Sequence, residues 1–224
     1  MLHKTNLLAF VSGTKRKRVV LHDDLKRRPV GSFDTAYPIA RLILRRDAVV
    51  LLSTHALAVH LLRPPNQKVY ELPLANTTLL AASCSWAPRF VVACETQQRG
   101  AVQVLDLTAL VGNAASSAAA ASPLPPPPSS SSATVGVLPS SAVRLIRAHD
   151  SPVAALAVSP DAARVATASG RGTLIRVWDA ASGALVRELR RGVDAAAIQS
   201  LSFSSDAARL VVVSDKATVH VFNI

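Results

Sequence analysis

Aromatic residues are scarce: Phe, Trp and Tyr make up 4% of the 224 residues, although half the chain is hydrophobic. Much of the apolar content is Ala and Val, so the hydrophobic fraction overstates the bulk available for packing. Basic residues interleaved with aromatic stacking platforms, as single-stranded nucleic acid requires, are not evident. Cysteine is limited to Cys84 and Cys94, in no metal-ligand spacing, which fits free thiols in a reducing compartment. No apolar run reaches the ~20 residues that span a bilayer. The most apolar stretch, 48–62, is broken by Ser53, Thr54, His55 and His60. The opening MLHKTNLLAF is too short in apolar residues for a secretory signal. Nucleophile elbow, phosphate loop and metal-ligand spacing are all missing, so an enzyme is the least favoured class. No catalytic residue, metal or cofactor is expected. Acidic residues are few as well: 14 against 25 Lys and Arg, a net charge of +11. That surplus favours a polyanionic partner, whether nucleic acid, an anionic membrane or an acidic protein.

What is present is a repeat. SPDAAR at 159–164 returns as SSDAAR at 204–209, an offset of 45 residues. VATASGRGTLIRVWD follows the first copy and LVVVSDKATVHVFNI the second, so Ser169 matches Ser214 and Thr173 matches Thr218. A period of this size with several short strands per unit is the mark of a propeller blade. Strands are expected at 153–158, 164–169, 173–178 and 184–189, then at 198–203, 210–213 and 218–222. The earlier half repeats the rhythm at 39–44, 48–52 and 57–62, and at 79–84, 90–94 and 101–107. Residues 7–11 and 19–21 suggest an incomplete first unit. The expected fold is all-β, a single partial propeller domain over 1–224 of about five blades, with incomplete end blades.

Between residues 111 and 141 the composition turns to Ala, Ser and Pro, including SPLPPPPSSSS. Such a segment cannot bury a core, and it reads as a low-complexity loop insertion within a blade, because strand pattern resumes at 142–147. Its proline run suits an SH3-type domain in principle, but a plain disordered loop is the commoner outcome. Lys15-Arg16-Lys17-Arg18 reads as a nuclear-localisation signal, a membrane-facing basic loop or a solvated hairpin. Lys26-Arg27-Arg28 and Arg45-Arg46 carry no chemistry that the sequence assigns.

The stretch HDSPVAALAVSPDAARVATASGRGTLIRVWDAASGALVRELRRGVD resembles the fifth blade of the PROPPINs, WIPI-like seven-bladed WD-type propellers. Their hallmark is Phe or Leu followed by Arg-Arg-Gly, here Leu189-Arg190-Arg191-Gly192. VVSDKATVHVF looks like the family's sixth blade, and MLHKTNLLAFVSG with LHDDL like part of the second. The resemblance implies binding of phosphatidylinositol 3-phosphate and 3,5-bisphosphate during autophagy. It also implies a cytoplasmic protein, peripheral on phagophore, endosomal or vacuolar and lysosomal membranes. The Leu form resembles the subgroup linked to lipid-transfer partners. A WD scaffold without lipid binding is the alternative, and no specific nucleic acid is expected.

The resemblance also fills two pockets. The first holds Arg190 with Arg176, Ser169, Thr173 and Gly172, supported by His149 and Thr167. The second holds Arg191 with Ser214, Lys216, Thr218 and His220. Adjacent residues of an extended segment point to opposite sides, so neighbouring arginines serve separate pockets. Arginine's planar fork suits phosphate oxygens, and Gly192 is expected to let the backbone turn closely. Plainer roles stand beside these. His149 reads equally as a structural hydrogen-bonding residue, the hydroxyls as hairpin closers, and His220 as an exposed strand residue. The chain departs from the family at 11–14, where one glycine replaces a Gly-rich turn. Against seven blades it is expected to be truncated at both ends, starting inside the second and stopping after the third strand of the sixth. The membrane-inserting loop beyond that strand is not in the sequence.

Overall fold

In the computed structural model the described residues are 6–13, 16–62, 67–74, 78–84, 86–111 and 137–224. Lys15 and most of the Ala/Ser/Pro insertion, 112–136, lie outside them. The chain forms two compact units, residues 1–73 with 108–138, and residues 74–107 with 139–224.

In the first unit, β1 (Leu7–Val11), β2 (Arg18–Asp23) and β3 (Arg28–Asp34) form a three-stranded antiparallel sheet. A four-stranded sheet follows from β4 (Ile39–Leu44), β5 (Ala48–Ser53), β6 (Ala56–Leu61) and β7 (Lys68–Pro73). Every residue of β5 is buried, as expected of an inner strand covered on both faces. Val19 and Leu21 of the first sheet pack with Val49 and Leu51 of the second. His60 is buried beside them, stacks on Phe33 at 4.5 Å, and has no partner for Nδ1 among the described residues. Arg45, which the sequence left unassigned, is 4% exposed and paired with Asp47 at 3.2 Å.

The second unit holds three sheets. β8 (Leu80–Ala82), β9 (Val91–Glu95), β10 (Ala101–Asp106) and β11 (Val143–Arg147) form the first. β12 (Val153–Val158), β13 (Arg164–Ser169), β14 (Leu174–Asp179) and β15 (Leu185–Arg190) form the second. β16 (Ile198–Phe203), β17 (Arg209–Ser214) and β18 (Val219–Asn223) form the third. The insertion joins β10 to β11, which pair antiparallel from Ala101↔Arg147 to Leu105↔Val143. It therefore connects neighbouring strands of one sheet. Strands β3 and β7 add to those expected. Each is an outer strand, and β3 tolerates Pro29 and Gly31 because one of its edges needs no ladder partner.

All five sheets follow the blade pattern of a WD-type propeller. Ile175 and Val177 of β14 pack with Ile198, Leu210 and Val212, joining the last two sheets. The repeated SxDAAR hexapeptide is a structural turn between β12 and β13 and again between β16 and β17. Ser159 Oγ accepts the Arg164 N–H at 2.9 Å and Asp161 accepts the Ala163 N–H at 3.0 Å. Ser204 and Asp206 do the same for Arg209 and Ala208, at 2.9 and 3.1 Å. Ala162 and Ala207, at φ 64° and 57°, hold the left-handed position of each turn.

Candidate phosphate-binding rim

The sequence-predicted residues all lie in the second unit: His149 between β11 and β12, Arg190 at the end of β15, and the others on two hairpins and the connection between them. One hairpin joins β13 to β14, the other β17 to β18, and the connection 191–197 runs from β15 to β16. The connection is pinned to both hairpins. Arg191 N–H donates to Thr173 O at 2.9 Å and Ala196 N–H to Arg171 O at 3.1 Å. On the other side Asp215 N–H donates to Ala197 O at 3.0 Å, and Asp215 Oδ1 accepts the Ala197 N–H at 3.0 Å.

This stitching depends on Gly172, at φ +63°. A Cβ there would stand 1.8 Å from Ala196 O, so only glycine admits the connection so close. Gly192 differs from the expectation. A Cβ at that position meets nothing within 4 Å, and its φ is not in the left-handed region. The glycine required by the close approach is Gly172, on the hairpin between β13 and β14.

The paired arginines occupy unlike states. Arg190 ends β15, is exposed, and its guanidinium has no partner among the described residues. Arg191 donates from Nε to Gly172 O at 2.6 Å and from Nη2 to Asp194 O. Lys216 and Arg171 are exposed on the two hairpins. Ser169 and Ser214 are buried at 6% and 2% exposure, so their hydroxyls sit beneath the rim rather than on it. Ser214 Oγ and Thr218 Oγ1 lie 3.2 Å apart. Thr173 is half-buried between Gly172 and β14.

Deeper in the same blade, His149, Thr167 and Trp178 form a triangle joined through Thr167. His149 Nε2 is 3.0 Å from Thr167 Oγ1, which also accepts the Trp178 Nε1–H at 3.0 Å. Burial, with the charge of Arg176 next in size, pushes His149 down to about 4. The imidazole is thus neutral at pH 7, and the triangle is satisfied when the Thr167 hydroxyl donates to Nε2. Arg176 lies beside it, donating to Glu188 Oε2 at 2.8 Å and to Ala148 O at 2.6 Å. Glu188, which sequence reasoning missed, directly faces Arg176 across β14 and β15. The signal for it was the strand pairing, invisible until the register was known.

His220 on β18 faces Val212, stacks on Phe222 at 6.2 Å, and keeps a buried Nε2 with no partner among the described residues. Its place in the blade is informative. Val165 pairs with Trp178 and Thr167 with Arg176, whereas Leu210 pairs with Phe222 and Val212 with His220. Past the hairpin the repeat therefore runs at an offset of 44, not 45, and His220 takes the position that Arg176 holds one blade earlier. Among the described residues no group of three or more His, Cys, Asp or Glu could hold a metal.

Comparison with known proteins places this rim in a family. The PROPPIN family matches residues 104–224, a span that contains every one of the candidate residues. The chain belongs to the PROPPIN family. Over 238 residues this PROPPIN chain is 31% identical to SVP1-like protein 2 of Debaryomyces hansenii, matching all of its own length and 54% of that protein. Against SVP1-like protein 2 of Emericella nidulans it is 30% identical over 229 residues, 62% of that protein. Kluyveromyces lactis Hsv2 superposes on the whole chain with a TM-score of 0.75 at 27% identity, over 60% of that structure. The PROPPIN chain thus spans about half to three-fifths of the relatives it matches. No helix of the described residues is long and apolar enough to cross a membrane.

Proposed function

We propose that this chain is a binding module, not an enzyme, and that its rim holds phosphoinositide headgroups, phosphatidylinositol 3-phosphate and 3,5-bisphosphate. The observation that carries the reading is the placement of the Arg190–Arg191 pair. It heads a connection hydrogen-bonded on one side to the Gly172 hairpin and on the other to the Asp215 hairpin. One phosphate site gathers around Arg190, with Arg176, Ser169, Gly172 and Thr173, and with His149 and Thr167 holding the blade behind it. The other gathers around Arg191 and Gly192, with Ser214, Lys216, Thr218 and His220. Exposed guanidinium and ammonium groups supply the charge, and the half-buried Thr173 and exposed Thr218 supply hydroxyls for inositol or phosphate oxygens. Two weak sites on one rim add avidity on a membrane. In a cell the protein would then work at phagophore or endolysosomal membranes, recruiting autophagy partners, a lipid-transfer protein among them.

One observation favours the alternative of a protein-binding WD scaffold: Arg191 is already engaged by Gly172 O and Asp194 O. The two readings separate in vesicle flotation. The lipid reading expects selective flotation with phosphatidylinositol 3-phosphate, lost in Arg190→Thr with Arg191→Thr while circular dichroism is unchanged. Arg190→Thr alone is expected to remove about 1.5–3 kcal/mol, the contribution of a hydrogen bond to a charged group. Flotation by the folded chain that ignores both substitutions would favour the scaffold.

A further inference from the structure

The connection 191–197 carries more than the arginines. Val193 is 78% exposed, and Ala195 and Ala197 are exposed on the same short segment. A valine this bare contributes nothing to folding, and a single exposed apolar side chain is ordinarily unremarkable. Here its setting is unusual in two respects. The backbone beneath it is fixed, by Ala196 N–H to Arg171 O, Ala197 N–H to Asp215 Oδ1, and the Arg191 guanidinium to Asp194 O. Its flanks are cationic: Arg171, Arg190, Arg191 and Lys216 outnumber Asp194 and Asp215, and Asp215 is occupied in capping Ala197.

A rigid apolar tip ringed by positive charge matches the layering of an anionic membrane, where phosphates lie outermost and acyl chains begin a few ångströms deeper. We infer that Val193 is an interfacial wedge: when the rim holds its headgroups, this side chain enters the lipid surface between them. The inference rests on the phosphoinositide reading, and it adds a membrane contact that is separate from headgroup recognition. Because the segment is already pinned, insertion costs little ordering entropy. Its contribution should therefore appear in binding to a bilayer and be absent from binding to a soluble headgroup.

The test uses the full chain and two ligands, soluble inositol 1,3-bisphosphate by calorimetry and phosphatidylcholine vesicles bearing phosphatidylinositol 3-phosphate by flotation. Val193→Ser is expected to weaken vesicle binding about fivefold to tenfold, from the apolar area no longer withdrawn from water, and to leave the soluble headgroup affinity unchanged. Val193→Trp should show fluorescence quenching by lipids brominated in the acyl chain, above that of the unsubstituted protein with Trp86 and Trp178. Unchanged flotation of Val193→Ser, with no added quenching of the introduced indole, overturns the wedge even if the headgroup binds. Equal loss of both ligands in Val193→Ser also overturns it, since the side chain would then be shaping the pocket. An unsubstituted chain that binds neither ligand refutes the phosphoinositide reading itself.

Discussion

Replacing Gly172 by alanine should cost stability and both proposed phosphate sites at once, whereas the same change at Gly192 should cost almost nothing. The left-handed backbone at φ +63° costs an alanine about 1–2 kcal/mol. The methyl group also lands 1.8 Å from Ala196 O, so the connection must retreat. That retreat breaks the Ala196–Arg171 and Arg191–Gly172 hydrogen bonds, about 1 kcal/mol each. Alanine restricts the unfolded chain and returns roughly 0.4–1 kcal/mol. The net loss is about 2–3 kcal/mol, a fall in Tm of roughly 10 °C for a unit of this size. Gly192→Ala meets open space and keeps an ordinary φ, so its melting curve should overlay that of the unsubstituted chain. Thermal denaturation followed by far-ultraviolet circular dichroism reads both variants, with vesicle flotation as the functional arm. Gly172→Ala melting within about 2 °C of the unsubstituted chain would refute the reasoning, because that shift corresponds to well under 1 kcal/mol. So would a Gly192→Ala variant that is destabilised as much.

Thr167→Val keeps the side chain's shape but strands the buried Trp178 N–H and His149 Nε2, so urea denaturation should show a loss of about 2–3 kcal/mol. Acid should destabilise the fold through its buried histidines: His60 and His149 are both lowered from 6.5 to about 4 in the folded state. The unfolded chain then binds more protons across that interval, so stability is full above about pH 6.5 and falls progressively towards pH 4. Urea midpoints measured at intervals across this range should decline, and His60→Phe should flatten the slope. Ala217, at φ 53° on the exposed hairpin beside Lys216, is strained as Ala162 and Ala207 are but without their burial. Ala217→Gly should raise Tm by a few degrees, from about 1–2 kcal/mol of relieved strain less roughly 0.4–1 kcal/mol for the freer unfolded chain.

Several strands were legible because their apolar content writes itself into composition. Ile39–Leu44, Val153–Val158, Arg164–Ser169 and Ile198–Phe203 form with the expected bounds, and each is apolar on at least its core-facing positions. Outer strands were not so plain. β3 carries Pro29 and Gly31, and β7 alternates Lys68 and Glu71 with its apolar residues and ends at Pro73. Half-solvated strands need no continuous apolar run, so they resemble loops until a neighbour pairs with them. At the candidate site, Leu189-Arg190-Arg191-Gly192 points to the connection 191–197 through its resemblance to the family, since an exposed arginine pair is by itself ordinary solvated surface. What the letters could not carry was partnership. Glu188 opposite Arg176, Asp215 capping Ala197, and Ala196 against Gly172 are contacts between residues 12 to 24 positions apart, fixed only by strand register.

Register also decides how alike the two proposed phosphate sites are. A sequence offset of 45 equates Ser169 with Ser214 and Thr173 with Thr218, and suggests twin pockets. The second hairpin closes one residue tighter, so the equivalence holds through Ser214 and fails beyond it. Arg176, paired with Glu188, is then matched by His220, whose Nε2 has no partner among the described residues. Each hairpin carries one left-handed residue, Gly172 at φ +63° in the first and Ala217 at φ 53° in the second. Arg190 has no side-chain partner among the described residues, while Arg191 is held by two carbonyls. An anion at the exposed Arg190 guanidinium would meet no competing partner among the described residues, whereas at Arg191 it must share the guanidinium with the backbone or loosen the connection. The two proposed sites would therefore open differently: the first by freeing Arg176 from Glu188 and Ala148 O, the second by reorienting the Arg191 side chain.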